Sequence, residues 1–225
     1  MVKQKYNDYF YTIDEPAIAE YKEKASKFIA YALPIENTFQ TEEWIEKIRK
    51  EHFKARHWCY AYSLGDEFRM NDDGEPSGTA GKPIFGQIQS FKLDKVLIIV
   101  VRYFGGVKLG TSGLISAYKT AAKEALTNAK IIKKLKVSLF KIVFDYSHEG
   151  KVMNELKKLS VIILKKDYLE KITLSVGVPN SEAASFKNKF IAALLGYEPE
   201  KVDEHTLVEY CRITDSGQTS EITEL

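Results

Sequence analysis

Alternation of apolar and polar positions opens the chain as strands. Residues 9–13 and 17–35 are rich in aromatic and aliphatic side chains, and Glu20, Lys22 and Lys24 alternate with Ala19, Tyr21 and, less cleanly, Glu23. A period of two sends successive side chains to opposite faces of a sheet, so two or three antiparallel strands are expected, the last over 27–33 before Pro34. The period then lengthens. Thr41 precedes Glu42 and Glu43, and Trp44, Ile45, Ile48 and His52 follow at helical spacing, which predicts a helix over about 42–54 capped by Thr41. The β-prone aromatics of 57–64 predict a strand, and the unbroken apolar run of 95–102 predicts a strand covered on both faces, with a helix over 82–91 between them. Thr111 or Ser112 can then cap a helix in which Leu114, Ile115, Tyr118, Ala121, Ala122, Ala125 and Leu126 share one wide face. Its small residues suit close packing on a sheet.

From Lys136 the pattern restarts as strand 137–146, helix 148–159, strands 161–168 and 171–178, helix 181–195 and strand 206–213. This βαββαβ order is the split-βαβ, ferredoxin-like motif. The expectation is an α+β protein with an N-terminal α/β domain over 1–132, a ferredoxin-like domain over 136–213 and a boundary near 129–136. Residues 214–225 are polar and poor in aromatics, and are expected to form a flexible tail.

Composition narrows the class. A chain of 225 residues, 44% hydrophobic and 28% charged, belongs with soluble globular proteins rather than disordered ones, and a net charge of +2 argues for no partner by itself. Cys59 and Cys211 lie far apart and form no CxxC pair, which fits a reducing compartment and predicts no metal; no cofactor motif appears either. The start, Met1 to Tyr6, lacks the apolar core of a signal peptide, and no run approaches the ~18 apolar residues of a membrane span, so a cytoplasmic location is expected.

Candidate chemistry gathers around two glycine-rich loops. Eight of the thirteen glycines fall between Gly74 and Gly113, where glycine permits positive φ and close backbone approach. The first loop carries Asp72, Asp73, Gly74, Glu75, Ser77, Gly78, Thr79 and Gly81; the second carries Arg102, Tyr103, Phe104, Gly105, Gly106, Lys108 and Gly110. Gly105 and Gly110 have P-loop spacing, yet Thr111 stands where a P-loop needs lysine, and GxGxxG is absent. What remains is a loop that either turns the chain or, through Lys108 and the following helix N-terminus, holds an anion such as an RNA phosphate. Asp72, Asp73 and Glu75 either bind Mg²⁺ or cap backbone N–H groups, and Arg102, ending a buried strand, needs one of them as a partner.

His57 and Cys59 fall on one face of their strand about 6.6 Å apart, which suits either a nucleophile and its base or a small buried thiol beside an edge histidine. Seven lysines, Lys119, Lys123, Lys130, Lys133, Lys134, Lys136 and Lys141, stand against Glu124 alone in 119–141. They form either a phosphate-binding surface or a solvated linker.

The runs 56–62, 72–81 and 101–110 together resemble the signature of the YigZ/IMPACT family, and residues 26–30 resemble its early strand. Trp58 and Tyr60 depart slightly from the residues more usual there. The resemblance implies an N-terminal two-layer α/β domain of the type found in translation factors, some ribosomal proteins and GHMP kinases. It also implies a ferredoxin-like domain like those ending elongation factor G. Eukaryotic members are linked to control of translation initiation through a stress-kinase pathway, and the resemblance supplies no catalytic residues. The leading expectation is a non-enzymatic protein that binds RNA or the ribosome through the 102–110 loop, the Thr111 helix N-terminus and Lys108, Lys119, Lys123, Lys130, Lys133, Lys134 and Lys136. Alternatives are an enzyme with a pocket of His57, Cys59, Asp72, Asp73, Glu75 and Arg102, or a module that regulates a protein partner in translation control.

Overall fold

A computed structural model describes residues 8–203 and 205–223. The chain divides into two compact units, one over Phe10–Lys133 and one that contains the chain from Lys134 onward together with Asp8 and Tyr9. Among the described residues no helix is long and apolar enough to cross a membrane.

In the first unit, β1 (Tyr9–Ile13), β2 (Ala17–Glu23) and β3 (Ser26–Pro34) lead to α1 (Thr38–Glu51). Then follow β4 (His57–Leu64), β5 (Glu67–Asn71), α2 (Gly81–Ser90), β6 (Val96–Tyr103) and α3 (Gly110–Asn128). The sheet runs β2-β3-β6-β4-β5, antiparallel throughout. Central β6 is buried along nearly its whole length, as its apolar run requires. Helices α2 and α3 cover one face, where Ala117, Tyr118, Ala121, Ala122 and Ala125 pack against Phe28, Ala30, Cys59, Ile98 and Val100. The other face carries Tyr31, Tyr60, Tyr62, Leu97, Ile99 and Val101, and α1 adds a layer there through Ile48.

Two local expectations shift. Helix α1 begins earlier than 42, because Asn37 accepts the Gln40 N–H through Oδ1 at 3.0 Å and so takes the capping role assigned to Thr41, which lies inside the helix. Helix α3 starts at Gly110 with Leu109 before it, and neither Thr111 nor Ser112 caps it.

The second unit contains β7 (Ile131–Phe144), α4 (Glu149–Lys158), β8 (Ile162–Tyr168), β9 (Ile172–Pro179), α5 (Asn180–Leu195) and β10 (Cys211–Thr223). Its antiparallel order β10-β7-β9-β8 is the ferredoxin-like arrangement, with Phe140, Ile142, Phe144, Phe186 and Phe190 in its core. The expected flexible tail is instead strand as far as Thr223. Thr214, Asp215 and Thr219 to Thr223 pair through their backbones with β7, and this edge pairing is available to a mostly polar segment. For the same reason 131–136 is the start of β7 rather than a linker.

Candidate functional site

The first glycine loop is built around one carboxylate. Beyond the end of β5, Asp72 accepts the Gly78 N–H through Oδ2 at 2.8 Å and the Ala80 and Gly81 N–H groups through Oδ1 at 2.9 and 2.8 Å. It thereby satisfies free donors at the start of α2, whose N-cap residue Ala80 has no side chain for the task. Asp73 accepts the Trp58 N–H at 2.8 Å and pairs with Arg49 at 2.6 Å. These carboxylates therefore bind protein donors, and no cluster able to hold a metal ion occurs among the described residues. Ser77 is exposed on the loop, while the Thr79 hydroxyl donates to the Pro76 carbonyl at 2.6 Å.

Glu75 turns inward. Its Oε1 accepts from Arg102 Nη1 at 2.5 Å and from the Tyr118 hydroxyl at 2.8 Å, and the two charged side chains are only 3% and 6% exposed. The Arg102 guanidinium lies 5.5 Å from the centres of both the Phe28 and Phe104 rings, and Nη2 donates to Ser26 Oγ at 3.4 Å. His57 donates from Nδ1 to the Asp73 carbonyl at 2.8 Å and sets Nε2 3.8 Å from Glu75. The structure thus joins His57, Cys59, Asp72, Asp73, Glu75 and Arg102 in one neighbourhood, with Tyr118, Ser26 and Arg49 added. Tyr118 was legible only as an apolar helix face; a hydroxyl on such a face is the signal that a buried partner waits opposite.

Cys59 is fully buried, with its Sγ 3.0 Å from the Asp72 carbonyl and 3.3 Å from the Tyr118 hydroxyl. Burial pushes its thiol well above the ordinary range; the Tyr118 hydrogen bond opposes this, and the Glu75, Asp73 and Asp72 charges reinforce it. Burial likewise raises the Tyr118 phenol, helped by Cys59 and Glu75. No hydrogen bond joins Cys59 to His57 among the described residues, since His57 Nδ1 meets the Asp73 carbonyl and Cys59 Sγ meets the Asp72 carbonyl and Tyr118, and burial disfavours the thiolate. Iodoacetamide at pH 8 should accordingly modify Cys59 in the folded chain at least ~100-fold more slowly than in urea. Equal rates, read by peptide mass spectrometry, would restore the thiolate.

The second loop faces outward. Gly105 passes so close to the turn between β2 and β3 that an added Cβ would stand 1.9 Å from the Ala25 carbonyl oxygen, while Gly74, Gly78, Gly106 and Gly110 adopt positive φ. Tyr103 is drawn back to the α1 side, where its hydroxyl meets His52 Nδ1 at 2.9 Å. Phe104 is 41% exposed beneath the Arg56 guanidinium, 5.9 Å from the ring centre, and Lys108 is exposed. Helix α3 follows without a side-chain cap and without an acid in its first turn, and Ser112, Ser116, Lys119 and Lys123 continue its exposed side. The other lysines differ: Lys130 pairs with Asp14 at 2.6 Å, Lys134 lies 4.0 Å from Glu221, and Lys136 stands opposite Glu221 in the β7/β10 ladder.

Both loops fall within residues 24–126, which match the Impact N-terminal domain, and residues 142–196 match a domain of unknown function (DUF1949). Over 203 residues the chain is 32% identical to the IMPACT family member YvyE of Bacillus subtilis (strain 168), covering 89% of this chain and 94% of that protein. The chain belongs to the IMPACT family. Within the family it is also 31% identical over 171 residues to YigZ of Escherichia coli (strain K12), covering 74% of this chain and 84% of YigZ. A solved structure described as that of a hypothetical protein superposes with a TM-score of 0.59 at 27% identity, covering 88% of this chain and 99% of that one. The IMPACT match includes every residue of the buried Glu75–Arg102–Tyr118 group as well as the exposed 104–110 loop.

Proposed function

We propose that this IMPACT family protein is a non-enzymatic, cytoplasmic RNA-binding protein that acts on the ribosome and modulates translation. The observation that carries this reading is the surface at the start of α3, with an uncapped helix N-terminus, exposed Lys108 and the Arg56–Phe104 pair, while Lys119 and Lys123 are exposed further along the same helix. Free N–H groups and lysines suit phosphates, and an exposed ring beside a guanidinium suits an unstacked base. The role of Arg102 in the reading changes. Its guanidinium is committed to Glu75, so it holds the loop rather than touching RNA. Lys130, Lys134 and Lys136 have carboxylates beside or opposite them and contribute less than Lys108, Lys119 and Lys123.

Cosedimentation with ribosomes and separate subunits across a salt series tests the reading. Binding should be saturable and weaken steeply with salt. Replacing Lys108, Lys119 and Lys123 together by glutamate should lower the slope of log K against log salt by about 1 per lysine, without loss of fold. Absence of binding at low salt, or an unchanged slope, would refute it.

A further inference from the structure

A second candidate site lies wholly within the ferredoxin-like unit and does not depend on the RNA surface. A cavity of about 550 Å³ lies between α5, the 206–210 loop and the start of β10. That volume is in the range of small-molecule sites. Its walls combine apolar surface from Val143, Ile191 and Val208 with the cationic side chains of Lys171, Lys187 and Arg212.

The cations are unequal. Lys171 is paired with Asp145 at 2.8 Å, whereas the side chains of Lys187 and Arg212 have no hydrogen-bond or ion-pair partner among the described residues. Among the described residues of the lining, Glu209 is the one acid beside three cationic side chains. Lys187 and Arg212 line the same cavity, so an anion bound there meets positive charge beside apolar walls.

The wall is preformed. Thr206 Oγ1 donates to Asp203 Oδ1 at 2.7 Å, and the Cys211 N–H donates to the Val208 carbonyl at 3.1 Å, closing the loop at both ends. Tyr210 stacks on His148 with ring centres 3.8 Å apart and donates to the Leu194 carbonyl at 3.3 Å. A wall ordered before binding spares the ligand the entropy of ordering it. Leu207, in the lining, is 81% exposed and offers an apolar lip. Burial raises the Cys211 thiol to about 12, so the cavity contains no thiolate and suits binding rather than covalent chemistry.

We infer that this cavity is a binding site for a small organic anion, in which Lys187 and Arg212 hold a phosphate or carboxylate and the Val143, Ile191 and Leu207 surface holds an apolar body. The probe is phenyl phosphate, titrated into the ¹⁵N-labelled full chain and followed by amide shifts. Saturable shifts confined to residues 187–191 and 206–213 are expected, with inorganic phosphate and benzyl alcohol each at least ten-fold weaker. Both cationic side chains are exposed, so the Lys187→Gln/Arg212→Gln variant should keep the spectrum of the rest of the chain while binding phenyl phosphate at least ten-fold more weakly. Shifts that do not saturate, shifts mapping elsewhere, or equal affinity in the variant would overturn the assignment. Inorganic phosphate binding as tightly as phenyl phosphate would overturn its apolar half.

Discussion

Replacing Glu75 by alanine is expected to destabilise the Phe10–Lys133 unit by about 3–5 kcal/mol, because it strands a guanidinium that is 94% removed from solvent. Three losses coincide. Arg102 loses the carboxylate it meets at 2.5 Å, the Tyr118 hydroxyl loses its acceptor at 2.8 Å, and the turn that brings Glu75 inward loses its anchor. Arg102 already has one buried donor, Nε, without a protein acceptor, so little is left to absorb the charge. The double variant Glu75→Ala/Arg102→Met should recover much of the loss, since removing both charges removes the stranded one. Both tryptophans, Trp44 and Trp58, lie in this unit, so their fluorescence during urea unfolding reports it selectively. A loss below about 1 kcal/mol for Glu75→Ala would mean that water reaches Arg102 and that the pair does not organise the loop.

Gly105→Ala should be the most damaging change in the second loop. The new Cβ would meet backbone, at 1.9 Å from the Ala25 carbonyl oxygen and 2.0 Å from its carbon, and no side chain can rotate out of the way. Either the turn between β2 and β3 or the 104–110 loop must move. Overpacking of this kind costs about 1–3 kcal/mol and sometimes more. Because the Gly105 N–H also reaches Ser26 Oγ at 3.4 Å, the movement loosens a contact of Arg102 as well. Gly106→Ala provides the comparison. Its Cβ would have open space, but its φ of +84° makes alanine cost about 1–2 kcal/mol through backbone strain alone. The same fluorescence-detected unfolding should place Gly105→Ala below Gly106→Ala, and ribosome cosedimentation should weaken in the former at temperatures where it remains folded. Wild-type stability in Gly105→Ala would show that the loop position is not set by this close approach.

How much was legible differs element by element. The β4 alternation was readable because Cys59 and Ala61 enter one core while Trp58, Tyr60 and Tyr62 face the other. By contrast β5, Glu67–Asn71, alternates Phe68 and Met70 with polar residues over only five positions, and both apolar side chains stay exposed, so its short period marks no core-facing strand. The pattern predicts the last strand over 206–213, whereas β10 runs over Cys211–Thr223, because its continuation along β7 depends on backbone pairing and includes an irregularity between Asp215 and Thr219. The run of lysines leaves both a phosphate-binding surface and a solvated linker open, and the structure divides it, with Lys119 and Lys123 on α3 and Lys133, Lys134 and Lys136 on β7. A sequence run reports charge density; it does not report which carboxylates another strand brings alongside.

By itself, the sequence determined the kinds of element, the βαββαβ order of the second unit and the two loops that require glycine, since periodicity and φ preferences act within a few residues. It also showed that Arg102 needed a carboxylate, because a guanidinium at the end of a buried strand cannot stay unpaired. Only the tertiary structure decided that this carboxylate is Glu75, 27 positions away, that Tyr118 shares it from 43 positions away, that Asp72 serves backbone donors and that Asp73 takes the Trp58 N–H and Arg49. The same packing made Cys59 a buried thiol and left Lys187 and Arg212 unpaired beside a cavity. Such choices depend on which distant segments the sheet brings within hydrogen-bonding distance, and local pattern contains no measure of that distance.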